Sequence, residues 1–347
     1  MNTEALTLHN DKLICAAMDM NVIYEVDLKS KKGAIIGSIP EETIFSKRVI
    51  GAVSSYKNKI IYVPFNGRDV WIFNVETKEW NSLKLHLSDC KTKFWNSYIY
   101  KQYLFMIPSR YPALVRINLD TNEIEEIEDC VLPLGKKEPK YGYFFSDYAI
   151  DNEYLIAASC ASNHVLFFNM DNCNFQWREI GNKRNKYVGI AKVENEFWLA
   201  PRRNTPIVKW SHDGTVKEFE LPEKYEDKYH FLGIRYEDNI ILPGIDDGMT
   251  ITINPQDERI KMKEHMKGFT FFERLSESVQ VSCFYDGSMI IETEDEKFEI
   301  KNVITKIQQD DYIAFYNKSN EHLPEKEIMK ESTVCDLQTF IKMVRRG

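Results

Sequence analysis

The chain has 347 residues, 43% of them hydrophobic and 13% aromatic, with a formal net charge of -8. An acidic excess mixed along the chain excludes a generic nucleic-acid binder, which needs a basic face, and no run of about eighteen apolar residues offers a membrane span. Seven cysteines without a CxxC pair exclude a disulfide framework or zinc ribbon, and MNTEALTLHNDKL lacks the basic and apolar segments of a secretory signal, so a reducing, cytoplasmic setting is expected.

Taken in chain order, the sequence repeats one plan: an upstream run, an apolar run ending at an anchor, a polar loop, a second apolar run ending in a polar residue ten positions past the anchor, and a turn. The first copy runs ALTLHND, anchor Ala17, Asp19 in the loop, Asp27. The second runs VIGAVSSYKN, Pro64, the loop with Asn66, Arg68 and Asp69, Asn74, and the turn NVETKEW. The third has FWNSYIYKQ, Pro108, Arg110 and Tyr111, Asn118, NLDTNEI. The fourth has FFSDYAIDNE, Ser159, Asn163 and His164, Asn169, NMDNCNF. The fifth has YVGIAKVENE, Pro201, Arg202 and Arg203, Ser211, SHDGTVK. The sixth has FLGIRYED, Gly244, Asp246 and Asp247, Asn254, NPQDERI, and the seventh FFERLSES, Ser282, Tyr285 and Asp286, Glu292, ETEDEKF. Successive anchors stand 38 to 51 residues apart, giving copies at about 1–43, 44–92, 93–140, 141–186, 187–230, 231–268 and 269–301.

Each unit reads strand, tight turn, strand, polar loop, strand, turn, strand. Four strands repeating at about 40–50 residues mark a β-propeller blade. The predicted fold is all-β, a propeller of seven four-stranded blades; six or eight blades, or an antiparallel sandwich, are the alternatives. In this plan the chain resembles the kelch-like and WD-like propeller superfamilies, nearest in style to the kelch and galactose-oxidase central-domain group and to the virginiamycin B lyase type. The kelch double glycine and the Gly-His to Trp-Asp pairing are absent, so the resemblance implies the fold and carries over no site.

Residues 302–347 depart from the repeat. A closing strand is expected around Tyr312–Tyr316, then a helix over 332–344. There Thr333 and Asp336 resemble a capping pair, and Leu337, Phe340, Ile341 and Val344 form one apolar stripe.

Propeller loops between second and third strands share a face with the linkers between blades, and loops on rigid scaffolds carry function. That face gathers Arg68, Arg110, Tyr111, Arg202, Arg203 and Asp246, with Trp95, Phe145, Tyr187 and Phe231 from the linkers. Guanidinium forks take carboxylate or phosphate bidentately and aromatic faces stack on sugars, peptides or cations. The expected function is therefore binding of a small anionic molecule, an acidic sugar or a peptide at the channel mouth, by a monomer without cofactor or metal. Each ring has the alternative of filling space between blades, and each arginine that of a rim ion pair. A lyase or hydrolase is the second class, with His164, His230, Tyr285 and Glu273 as its acid–base candidates. A protein-interaction scaffold is the third.

Overall fold

The computed structural model describes residues 1–134, 142–245, 248–264 and 268–319. Seven four-stranded antiparallel sheets follow one another along the chain, the fold of a seven-bladed β-propeller. The first sheet is β1 (Thr3–His9), β2 (Lys12–Ala17), β3 (Ile23–Asp27) and β4 (Lys32–Gly37); the second is β5 (Ile50–Tyr56), β6 (Lys59–Pro64), β7 (Val70–Asn74) and β8 (Trp80–Leu83). The third is β9 (Phe94–Tyr100), β10 (Tyr103–Pro108), β11 (Leu114–Asn118) and β12 (Ile124–Ile127), and the fourth β13 (Phe144–Asp151), β14 (Tyr154–Ser159), β15 (His164–Asn169) and β16 (Phe175–Glu179). The fifth is β17 (Tyr187–Val193), β18 (Glu196–Pro201), β19 (Ile207–Ser211) and β20 (Val216–Phe219). The sixth is β21 (Arg235–Tyr236), β22 (Ile240–Leu242), β23 (Met249–Ile253) and β24 (Ile260–Glu264), and the seventh β25 (Phe269–Ser276), β26 (Val279–Phe284), β27 (Met289–Thr293) and β28 (Lys297–Ile300). The chain forms two compact units, Met1–Ser88 with the described residues from Arg274 on, and Asp89–Glu273. The second unit contains the third to sixth sheets and the start of β25.

The repeat has a local chemical cause at both ends of its ten-residue interval. Pro64, Pro108 and Pro201 are the last residues of β6, β10 and β18. A proline has no N–H to give a ladder, so it sits where pairing stops. Ten residues past the anchor, in the second, third, fourth and sixth copies, an Asn side chain closes the next turn. Asn74 Oδ1 accepts the N–H groups of Glu76 (2.9 Å) and Thr77 (3.1 Å), and Asn118, Asn169 and Asn254 repeat the pattern. Four residues past each Asn the backbone enters the left-handed region, at Lys78, Asn122, Cys173 and Glu258. The Asx turn supplies the hydrogen bonds that hold these strained residues in place.

The second strand of most sheets is an almost continuous apolar run, as in KIIYVP, YLFMIP and EFWLAP, because it is covered on both faces. The fourth strands, such as FQWRE of β16, are largely exposed. Within the Asp89–Glu273 unit, neighbouring sheets pack face to face through large rings. Between the fourth and fifth sheets, Phe197 stacks on Trp210 at 5.0 Å and Phe167 meets both edge-on. First strands share a bulge near their start. In β1, β5, β9 and β17 two residues oppose one on the second strand, whereas in β13 the five residues Phe144 to Tyr148 run opposite only three, Ala157 to Ser159.

The strand expected around Tyr312–Tyr316 is instead part of α1 (Lys306–Ser319). Thr305 and Gln308 form a capping box: Thr305 Oγ1 accepts the Gln308 N–H (3.2 Å), and Gln308 Oε1 accepts the Thr305 N–H (2.9 Å). That reciprocal cap starts a helix before the aromatic, β-branched stretch YIAFY can act as a strand. The helix joins the first sheet through Gln308 Nε2, which donates to the Gly33 carbonyl (3.0 Å), beside buried Val303 and Ile304. The helix expected over 332–344 lies outside the described residues.

Candidate functional site

Three cations from three stretches of the Asp89–Glu273 unit act on one group, the thiol of Cys160 in the loop between β14 and β15. Arg110 follows β10, Lys186 precedes β17, and Arg202 follows β18. Arg202 Nη1 donates to the Cys160 carbonyl at 2.9 Å. Burial pushes the Cys160 thiol up to about 11, and the positive charges of Arg202, Lys186 and Arg110 pull against that rise. The thiol itself donates to the Gly142 carbonyl at 3.2 Å, so it is a structural core group rather than a nucleophile. Arg203, next to Arg202, is exposed with φ 58°. The cations present a surface suited to carboxylate or phosphate.

Deeper in the same unit lies a charged cluster that the sequence pattern did not single out as a whole. The long bulge of β13 carries Asp147, whose side chain is 1% exposed and ion-pairs with Arg235 of β21. The other Asp147 oxygen accepts the Ile234 N–H. Arg235 Nε donates to the Phe272 carbonyl at 3.1 Å and Nη1 to the Ile234 carbonyl at 3.0 Å. Glu273, beside Phe272, adds a second carboxylate. Burial pushes both the Asp147 and Glu273 carboxyls up while Arg235 pulls them down. Burial also opposes the Arg235 charge, but Asp147 and Glu273 reverse that and hold the guanidinium charged. Two glycines make room. A Cβ on Gly189 of β17 would come within 2.6 Å of the Asp147 Cβ, and one on Gly233 would fall on the carboxylate itself. Tyr148 packs on Tyr98 (5.6 Å) and donates to the Ser97 carbonyl. One guanidinium thus ties the starts of β13, β21 and β25 together, a positioning role, since its hydrogen bonds go to the protein's own acceptors.

The remaining sequence-predicted residues divide clearly. Trp95 and Phe145 meet at 5.3 Å, both half-buried. Tyr111, Tyr187 and Phe231 are enclosed at 0%, 0% and 2% exposure. Tyr111 stacks on Phe94 and bonds Glu126 (2.7 Å), Tyr187 donates to the Ile180 carbonyl (2.6 Å), and Phe231 joins the core around Trp198 and Ile251. These rings fill space between sheets. Arg68 is exposed in the other unit, its N–H on Glu42, and Asp246 and Asp247 lie outside the described residues. His164 opens β15, sharing a hydrogen bond with Ser162 (2.9 Å) and lying edge-on to Trp177. The His230 side chain is exposed before Phe231. Tyr285, also exposed, belongs to the other unit. His164 contacts Ser162, Glu179 and Trp177, while Glu273 belongs to the Asp147–Arg235 cluster, so these two candidates serve different side-chain networks within the Asp89–Glu273 unit. Lys186, Cys160, Asp147 and Arg235 escaped the sequence reading. The only available signals were the Asp in FFSDY and the glycines of YVGIA and FLGIR.

No protein-family model matches the chain, and no curated protein matches it in sequence. Solved structures do match. Virginiamycin B lyase from Staphylococcus aureus superposes with a TM-score of 0.60 at 12% identity, over 86% of this chain and 94% of that one. YCF48 bound to D1 peptide superposes at 0.59 and 10% identity, over 85% and 93%. BamB from Moraxella catarrhalis superposes at 0.55 and 10%, over 85% and 87%. At these identities the likeness concerns the propeller fold.

Proposed function

We propose that this chain is a binding propeller that takes an anionic group, carried by a small molecule, an acidic sugar or a peptide, on the rim of its Asp89–Glu273 unit. The observation that carries this reading is the convergence of Arg110, Lys186 and Arg202 on the Cys160 loop. Arg203 and the Trp95–Phe145 pair extend the contact surface. That a propeller of the same fold is seen bound to a peptide supports a peptide as the occupant, and six free cysteines among the described residues support a reducing, cytoplasmic setting. By its repeat style we place the chain beside the kelch and galactose-oxidase central-domain group, acting as a monomer. A lyase or hydrolase role is the weaker reading, because two of its candidates, His164 and Glu273, belong to different side-chain networks.

The test is a panel of anionic ligands, acidic peptides and uronic acids among them, measured by thermal shift and titration against the wild type and an Arg110→Ala/Arg202→Ala variant. Hydrogen bonds to charged groups contribute about 1.5–3 kcal/mol each, so the double variant is expected to bind at least a hundredfold more weakly. Retained binding in a folded double variant, or a panel without any binder, overturns the rim as the site.

A further inference from the structure

The outermost strand of the fourth sheet, β16, presents an arginine that is paired with no carboxylate among the described residues. Side chains alternate along it. Trp177 faces inward, stacked on Phe144 at 5.8 Å, while Gln176 and Arg178 face the fifth sheet. The Arg178 guanidinium lies 4.7 Å from the Phe167 ring centre and 5.8 Å from that of Trp210 on β19. Among the described residues these rings are its only charge-related contacts. Two acids line the groove, Asp151, which is paired with Lys192 and lies 3.5 Å from His212, and Glu153; among the described residues neither is paired with Arg178.

The space in front of Arg178 is a groove of about 280 Å³ floored by Tyr154, Ile156 and Phe167. It continues past Tyr154 and Gln176 into a second hollow of about 230 Å³ that ends at the exposed ring of Phe175. The groove therefore follows β16 from Arg178 to Phe175. Because β16 ends its sheet, its outer backbone N–H and C=O groups are open to pairing. An added strand places alternate side chains on the groove face, and the one opposite Arg178 meets an immobilised positive charge over an apolar floor.

We infer that β16 and the groove beside it form a second docking surface, which takes an extended peptide segment as a fifth strand and reads an acidic side chain through Arg178. Strand addition supplies backbone hydrogen bonds, and side-chain pockets supply the choice of sequence. The cation is held flat by Phe167 and Trp210, so little side-chain freedom is lost when a carboxylate arrives. This site shares no residue with the rim and stands or falls separately.

The experiment uses the full chain and two labelled probes, eight-residue alternating Thr/Val peptides carrying either Glu or Lys at the two central positions of one face. Anisotropy titrations are run on wild type, Arg178→Glu and the rim variant Arg110→Ala/Arg202→Ala. Opposite charges across a strand pair favour binding and like charges oppose it, so the Glu peptide is expected to bind wild type and to weaken about tenfold on Arg178→Glu. The Lys peptide is expected to show the reverse preference. N-methylation of the peptide's edge-facing amides is expected to abolish binding, and the rim variant to leave it unchanged. Equal binding of both peptides, no binding of the Glu peptide, or indifference to Arg178→Glu in a variant that melts like wild type overturns the inference.

Discussion

Replacing Gly233 by alanine tests whether the Asp147–Arg235 pair holds the inner strands in place. The added Cβ would fall on the Asp147 carboxylate, and its nearest neighbours are all atoms of that one group. The side chain has no simple retreat, because Gly189 closes the opposite side and the carboxylate is 1% exposed. Overpacking a filled site costs about 1–3 kcal/mol. If the carboxylate moves, Arg235 loses its ion pair and the Ile234 N–H its acceptor, and breaking a buried pair costs about 3–5 kcal/mol. The expected loss is therefore about 3–5 kcal/mol. With an unfolding entropy of about 2.1 cal/mol/K per residue, that is a fall of about 4–7 °C in Tm for a chain of 347 residues. Denaturant titration gives the free energy directly. The mechanism is isolated by repeating the substitution in an Asp147→Ala background, where the clash is gone: Gly233→Ala should then cost under about 1 kcal/mol, a coupling that independent sites do not show. A Gly233→Ala protein within 1 kcal/mol of wild type, or additive costs in the double variant, refutes the reasoning.

The first unit contains a pH-dependent counterpart. Burial pushes the Glu4 carboxyl up to about 7, from 4.5, against the pull of Arg48, whose Nε lies 2.7 Å away. The folded state then holds a proton that the unfolded state has released, so stability is full below about pH 4.5 and declines as pH rises to about 7. The shift corresponds to roughly 3–3.5 kcal/mol, and Glu4→Gln should flatten the dependence of the denaturation midpoint between pH 5 and pH 8; an unchanged slope assigns it elsewhere. At the turns, Asn118→Ala removes the acceptor for two backbone N–H groups and should destabilise the chain by about 1–2 kcal/mol, read from the urea midpoint. Lys78→Gly, at φ 62°, should be neutral or stabilising by up to about 1 kcal/mol, and a loss there would contradict the left-handed assignment.

These turns explain why the architecture was legible. A proline that ends a strand and an Asn that closes a turn act within a few residues of themselves, so their spacing survives in the sequence wherever the blade survives. The tail was misread for the same reason, since YIAFY was weighed by its rings and the decisive residues, Thr305 and Gln308, lie upstream in TKIQ. The rim loops were placed by counting from the anchors, and counting brought Arg110 and Arg202 to equivalent loops, two and one residues past Pro108 and Pro201. It did not tell a ring that faces solvent from one that fills the gap between sheets, because Tyr187, at 0% exposure, and the half-buried Trp95 both stand in linkers or at the start of first strands.

The Asp147–Arg235–Glu273 cluster was invisible on different grounds. Its members come from the fourth, sixth and seventh copies, and nothing local to any of them requires the others. What joins them is a deviation: the β13 bulge holds two extra residues where the other bulged first strands hold one. A bulge redirects side chains and is common beside functional sites, and here it turns an aspartate inward between two glycines. Arg178 follows the same logic, being a cation of a fourth strand that among the described residues lies over rings rather than on a carboxylate, whereas Lys217 of β20 is paired with Glu258. In a repeat fold the shared residues satisfy the turns and the strand ends, which every blade must do. Residues free of that duty carry what is particular to the molecule, so its chemistry is to be sought where one blade departs from its neighbours.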